Sequence, residues 1–119
     1  MPEPRWGGMR PMLLSFLLLA SCGAAQEKWA SATIDGAPRP DFTLVTRGGE
    51  IVGGHDGCNG WGRSDQPGLI TIDLQECPPD PVRDAYWKLA TGEGATFSRD
   101  GSRLVARNAG HVGVFDKAN

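Results

Sequence analysis

The chain has 119 residues, with 14 acids against 12 bases and a formal net charge of −2. It carries no basic stripe, which argues against nucleic acid as a partner, and apolar runs recur too often for a disordered chain. Seventeen glycines and nine prolines lie between those runs, so the reading is one small, loop-rich domain.

Arg5 and Arg10 precede an apolar run, Met12 to Ala20, broken by Ser15. A basic flank, a short apolar segment and small residues at its end form the layout of a secretory signal. A membrane-spanning helix needs about 20 apolar residues, roughly double this run, so no permanent transmembrane helix is expected. Met9, directly before Arg10, is a second candidate start.

Leu19-Ala20-Ser21-Cys22 resembles the lipobox of bacterial lipoprotein precursors. In that family the cysteine thiol takes a diacylglyceryl group, the signal is cut just before it, and the new amino terminus is usually acylated. Several chains hold firmly where one is marginal, because each buried methylene contributes about 0.8 kcal/mol. The resemblance implies a signal over residues 1–21, lipidation at Cys22, and a lipidated tether over residues 22–27. Gly23 stands where inner-membrane lipoproteins carry Asp, which implies the periplasmic face of the outer membrane. The alternative is a plain secretory signal cut near Ala20 or Ala24, with Cys22 an ordinary cysteine.

Removing residues 1–21 takes away Glu3, Arg5 and Arg10, leaving 13 acids and 10 bases. Attachment to membrane would then come from lipid and not from charge. With Cys22 acylated, Cys58 and Cys77 form an even pair in a disulfide-permissive compartment. The alternative is two reduced, buried cysteines.

In the mature part, Trp29 to Ile34 reads as a strand ended by Asp35-Gly36. Phe42 to Thr46 and Glu50 to Val52 form a hairpin around Gly48-Gly49. Gly53 to Gly62 holds five glycines and reads as a tight, irregular loop. Leu69 to Leu74 reads as a strand with one buried face. Asp80 and Pro81 suit a helix cap and first turn. Val82, Ala85, Tyr86, Leu89 and Ala90 then make one apolar stripe, with Trp87 at its edge and Gly92 as the stop. A meander follows: Ala95 to Ser98, Leu104 to Ala106, and Val112 to Phe115, turning at Asp100-Gly101 and Asn108-Ala109-Gly110. The expected fold class is α+β, a curved antiparallel sheet of about six to seven short strands with one main helix on a face.

Gly57-Cys58-Asn59, after a glycine-rich hairpin and before an aromatic, resembles the "GCN" motif of the META/HslJ-like domain family. The order of elements agrees: Trp29 at the first strand, the hairpin, then Cys77-Pro78 leading to a helix with Tyr86 and Leu89, then a terminal meander. The resemblance spans residues 28–117. Asp73 and Gln75 depart from the family's usual Thr-x-Met-x-Cys, so this is a divergent pattern. The resemblance implies an envelope or secreted protein linked to stress response, antibiotic tolerance or virulence, with no established catalytic activity.

His55-Asp56-Gly57-Cys58 is the cluster to weigh for chemistry. A cysteine nucleophile needs a base and an orienting group, and His55 is close to Cys58. A second cysteine in an exported chain favours oxidation over catalysis. Zinc would need His55, Asp56, Cys58 and Cys77 together, without the close ligand pairs such sites use. No cofactor, metal or catalytic residue is therefore expected. The favoured role for residues 57–60 is a structural corner pinned to Cys77. Trp61, between glycines, is either an open ring for a sugar or peptide or a plug over the sheet edge. His111 is expected to face solvent. The chain is expected to be a monomer, held to the membrane by lipid, with a cell-wall or envelope protein as its other partner class.

Overall fold

The structure, a computed structural model, describes residues 25–118. Cys22 and the run that resembles a lipobox lie outside the described residues. The strands are β1 (Gln26–Ile34), β2 (Ala37–Arg39), β3 (Phe42–Arg47), β4 (Glu50–Asp56), β5 (Gly60–Arg63) and β6 (Ile70–Ile72). Then come the helix α1 (Pro81–Ala90) and β7 (Thr96–Asp100), β8 (Arg103–Asn108) and β9 (His111–Ala118). They form one nine-stranded sheet in the order β6-β5-β4-β3-β1-β9-β8-β7, with β2 paired to β1. Every strand pair is antiparallel. The class is α+β, as the sequence pattern indicates.

Local chemistry explains most of the elements. Gly48 and Gly49 both take positive φ, 60° and 85°, which a two-residue hairpin turn demands. In β3, Phe42 and Leu44 alternate inward with Thr43 and Val45 only half-buried, the period of two of a half-buried strand. β1 changes phase midway. Trp29 is buried, and so are Ala32 and Ile34. An odd position can hand over to even ones because the register with β9 shifts between Ala30 and Thr33, and Ser31 sits at φ 52°. A bulge of this kind inserts one residue and turns the strand over.

α1 starts where expected. The Asp80 side chain accepts from the N–H groups of Val82 and Arg83, and Pro81 occupies the first turn. Burial pushes the Asp80 carboxyl up, but Arg39 and those two N–H groups outweigh it and leave it below the usual range. Ala85, Tyr86, Leu89 and Ala90 are buried against the sheet, with Val82 and Trp87 packed beside them. The helix stops at the Thr91 cap. Gly92 follows in a crowded place, where a Cβ would meet the carbonyl oxygen of Lys88 at 2.5 Å. Close packing selects that glycine, since its φ is not positive.

Four expectations need correction. The sheet has nine strands and not six or seven. The two missed strands are β2, a short run containing Pro38, and β5, which lies in the stretch read as an irregular loop. An antiparallel ladder needs only backbone groups, so glycines can carry it. Gly54 is in fact required: an added Cβ would collide with the Thr43 carbonyl and lie 2.5 Å from the Tyr86 hydroxyl oxygen. Gln26 and Glu27, expected within a tether over residues 22–27, belong to β1 and pair with Arg47 and Thr46. Glu27 looks like a solvated linker residue but is held by Arg99 and Lys117. Finally, the strand expected over Leu69 to Leu74 shrinks to Ile70–Ile72 and buries no face.

Candidate functional site

The GCN stretch sits where β4 passes into β5. Gly57 has φ 90°, and a Cβ there would lie 2.5 Å from the Phe42 ring, so only glycine fits the turn. Cys58 is bonded to Cys77, with Cα atoms 6.2 Å apart, inside the range a disulfide tolerates. This bond fastens the corner to the segment that leads into α1.

Asp56 organises the corner. It is 2% exposed. Its Oδ1 accepts from the backbone N–H of Cys58 at 2.9 Å and of Asn59 at 2.6 Å. Its Oδ2 accepts from the Trp87 indole at 3.0 Å. A buried carboxylate is tolerated only when its lone pairs are used, and here both oxygens are. Asn59 is buried too and bridges outward: its Oδ1 accepts from Gln75 N, and its Nδ2 reaches the Gln75 carbonyl. Arg83 completes the seam, donating to the carbonyls of Asp56 and Pro78. Three chain segments thus meet on one carboxylate, one amide, one guanidinium and one disulfide.

An aromatic cluster lies beneath. Trp61 and Trp87 have ring centroids 5.1 Å apart, and Tyr86 packs 5.1 Å from Phe42 and 5.7 Å from Trp87. The Trp61 indole donates to the Tyr86 hydroxyl at 2.8 Å, and that hydroxyl donates to the Thr43 carbonyl at 2.7 Å. Burial pushes the Tyr86 phenol far above its ordinary value, so it stays neutral and can donate.

These contacts bear on each candidate. Trp61 is 7% exposed, and its polar edge is spent on Tyr86; the open ring imagined for a sugar or peptide is replaced by the plug. The reason is the Tyr86 hydroxyl, which gives the indole a buried partner. His55 points its Nδ1 at the Gly57 N–H, which donates to it at 3.1 Å. The Cys58 sulfur is bonded to sulfur and holds no thiolate. His55, Asp56, Cys58 and Cys77 share the corner but offer no ligand set, and among the described residues no group of three or more metal-ligating side chains converges. His111 is not simply solvent-facing: its Nδ1 lies 2.7 Å from Asp35 Oδ2, which joins the β8–β9 end to the β1 turn.

Sequence reasoning placed the corner but missed its centre. Asp56 was visible as an acid before a glycine, the pattern of a side chain that bonds backbone N–H groups two and three residues on. Trp87 and Arg83 gave no such signal, because their partners lie 31 and 27 residues away.

No family model matches the chain, nor does any curated protein or any solved structure. Among the described residues no helix is long and apolar enough to cross a membrane.

Proposed function

We propose that this protein is a non-enzymatic lipoprotein of the bacterial cell envelope. It is anchored through Cys22 to the periplasmic face of the outer membrane and carries a divergent META/HslJ-like domain with a structural or binding role there. The observation that carries this reading is the Cys58–Cys77 bond. Two of three cysteines are spent on each other, and the third stands at the end of the apolar run, where lipid attachment needs a free thiol. The closed corner supports the non-enzymatic part: His55 and Asp56 serve backbone N–H groups and the Trp87 indole, and Cys58 is bonded to Cys77. The family assignment is supported by the GCN corner, its link to Cys77-Pro78, and the helix and meander that follow.

The test is Cys22→Ser in the full chain, expressed in a bacterium with an intact export pathway. The native chain fractionates with membranes in a shortened form. The variant keeps its precursor length and carries no fatty acid after metabolic labelling. Equal labelling and equal length in both proteins would refute the anchor.

A further inference from the structure

β6 closes one end of the sheet and is poorly protected there. Among the described residues, Leu69, Ile70, Ile72 and Leu74 are the large apolar side chains left exposed, at 52%, 37%, 38% and 95%. Edge strands are ordinarily guarded by charge, proline or a bulge, because their free amides invite another strand. The opposite edge, β7, carries Arg99 and Asp100. β6 reads Ile-Thr-Ile, with no charge, proline or register shift within it.

The hydrogen-bond phase of β6 is defined. Asp73 N donates to the Gly60 carbonyl, and Ser64 N donates to the Leu69 carbonyl. Residues 69, 71 and 73 therefore turn their backbone groups toward β5, and Ile70 and Ile72 turn theirs outward. The free edge offers two N–H and two C=O groups, two residues apart, both on isoleucine. Ile72 is paired with Trp61 and Ile70 with Arg63, so both isoleucines share the sheet face on which Trp61 is buried. They continue the core's apolar surface to an edge that no described residue covers.

We infer that β6 pairs with β6 of a second copy of this chain, antiparallel, about a dyad at Thr71. In that register Ile70 faces Ile72 of the second copy and Ile72 faces Ile70, closing four backbone hydrogen bonds from groups that now point at solvent. The two threonines meet at the dyad as a non-hydrogen-bonded pair. Charge selects this arrangement: Asp73 comes opposite Leu69 of the other copy, and the two Asp73 carboxylates stay apart. A parallel in-register pairing would set Asp73 beside Asp73. A two-fold contact of this kind uses the same patch twice and closes on itself, so it yields a dimer and not a fibre. The monomer expected from the sequence gives way to an eighteen-stranded sheet shared by two chains, twice the nine strands of one. The inference does not depend on lipid at Cys22.

The test is a cross-link at the dyad. Cα atoms of a non-hydrogen-bonded pair lie about 4.5 Å apart, within reach of a disulfide. Thr71→Cys in the full chain should form a disulfide-linked homodimer at least roughly a hundredfold faster than colliding chains would, because pairing raises the local thiol concentration. Ser98→Cys, exposed on β7, is the matched control and should stay monomeric. Adding Ile72→Pro to Thr71→Cys removes an outward N–H and none that bonds β5; it should abolish the dimer, and the thermal midpoint reports whether the domain stays folded. A homodimer from residue 71 alone supports the pairing. Absence of that dimer, equal cross-linking from residue 98, or a link only to a different protein overturns it.

Discussion

Two regions of this sheet reach order by different means. The meander half, β8 and β9, is held by burial: Leu104, Ala106 and Phe115 are all within 1% of full burial, and the hairpin turns do the rest. The β4–β5 half buries Ile51 and Trp61, but few other large apolar side chains of its own. Five of its positions between 53 and 62 are glycine, and those positions contribute no apolar side chain. It is held instead by a disulfide, a buried carboxylate and indole hydrogen bonds. Non-directional burial tolerates small shifts, whereas directional bonds fail when one partner is lost. The two halves should therefore respond to different insults.

The largest effect is expected in the meander. Phe115→Ala should cost about 3–5 kcal/mol through lost contacts and a cavity. Chemical denaturation should show the same loss with or without reductant. A loss that depended on reductant would mean that the two halves are not separately held. Next comes the staple. Cys58→Ser with Cys77→Ser opens a loop of about twenty residues and should cost roughly 3 kcal/mol. Amide exchange should rise first in β4 and β5 and last in β8 and β9; uniform exchange would erase the distinction.

Tyr86→Phe is smaller and sharper. It leaves the Trp61 indole and the Thr43 carbonyl without their partner, at a cost of about 1–3 kcal/mol. Trp61 fluorescence should change while the meander's exchange rates keep their order. The smallest effect is electrostatic. The hydrogen bond with His111, helped by the Val112 N–H, holds the Asp35 carboxyl below its usual range. Its folded pKa thus lies below the unfolded value of about 3.9. The stability it adds is complete above that value and is lost as pH falls through the folded pKa. Asp35→Asn should melt slightly below the native chain at neutral pH and level with it in strong acid. Both side chains are partly exposed, so solvent screening keeps the gap small. A gap that widened in acid would contradict the assignment.

The two halves also differed in how far the amino-acid pattern disclosed them. The meander was legible because its strands alternate and its turns carry Asp-Gly and Ala-Gly signals. The helix was legible through Asp80, Pro81 and a stripe at 3.6-residue spacing. β5 was not, since Gly60-Trp61-Gly62 reads as a loop until a neighbouring ladder supplies its hydrogen bonds. β6 was legible as a strand but not in its burial: alternation predicts a covered face, and only the sheet order shows that no described strand of this chain lies beyond it. The corner was readable from Gly57, Cys58 and Asn59, yet Asp56 as its hub needed the fold to bring Trp87 alongside.

The central claim is that sulfur is divided between two tasks, residues 58 and 77 clasping the glycine-rich half and residue 22 holding lipid. Intact mass of the native protein, taken after alkylation without reductant, tests both at once. The account predicts a chain that begins at Cys22, carries acyl mass there and takes up no alkylating agent. An alkylated Cys58 or Cys77, or a mature chain retaining residues ahead of Cys22, would contradict it.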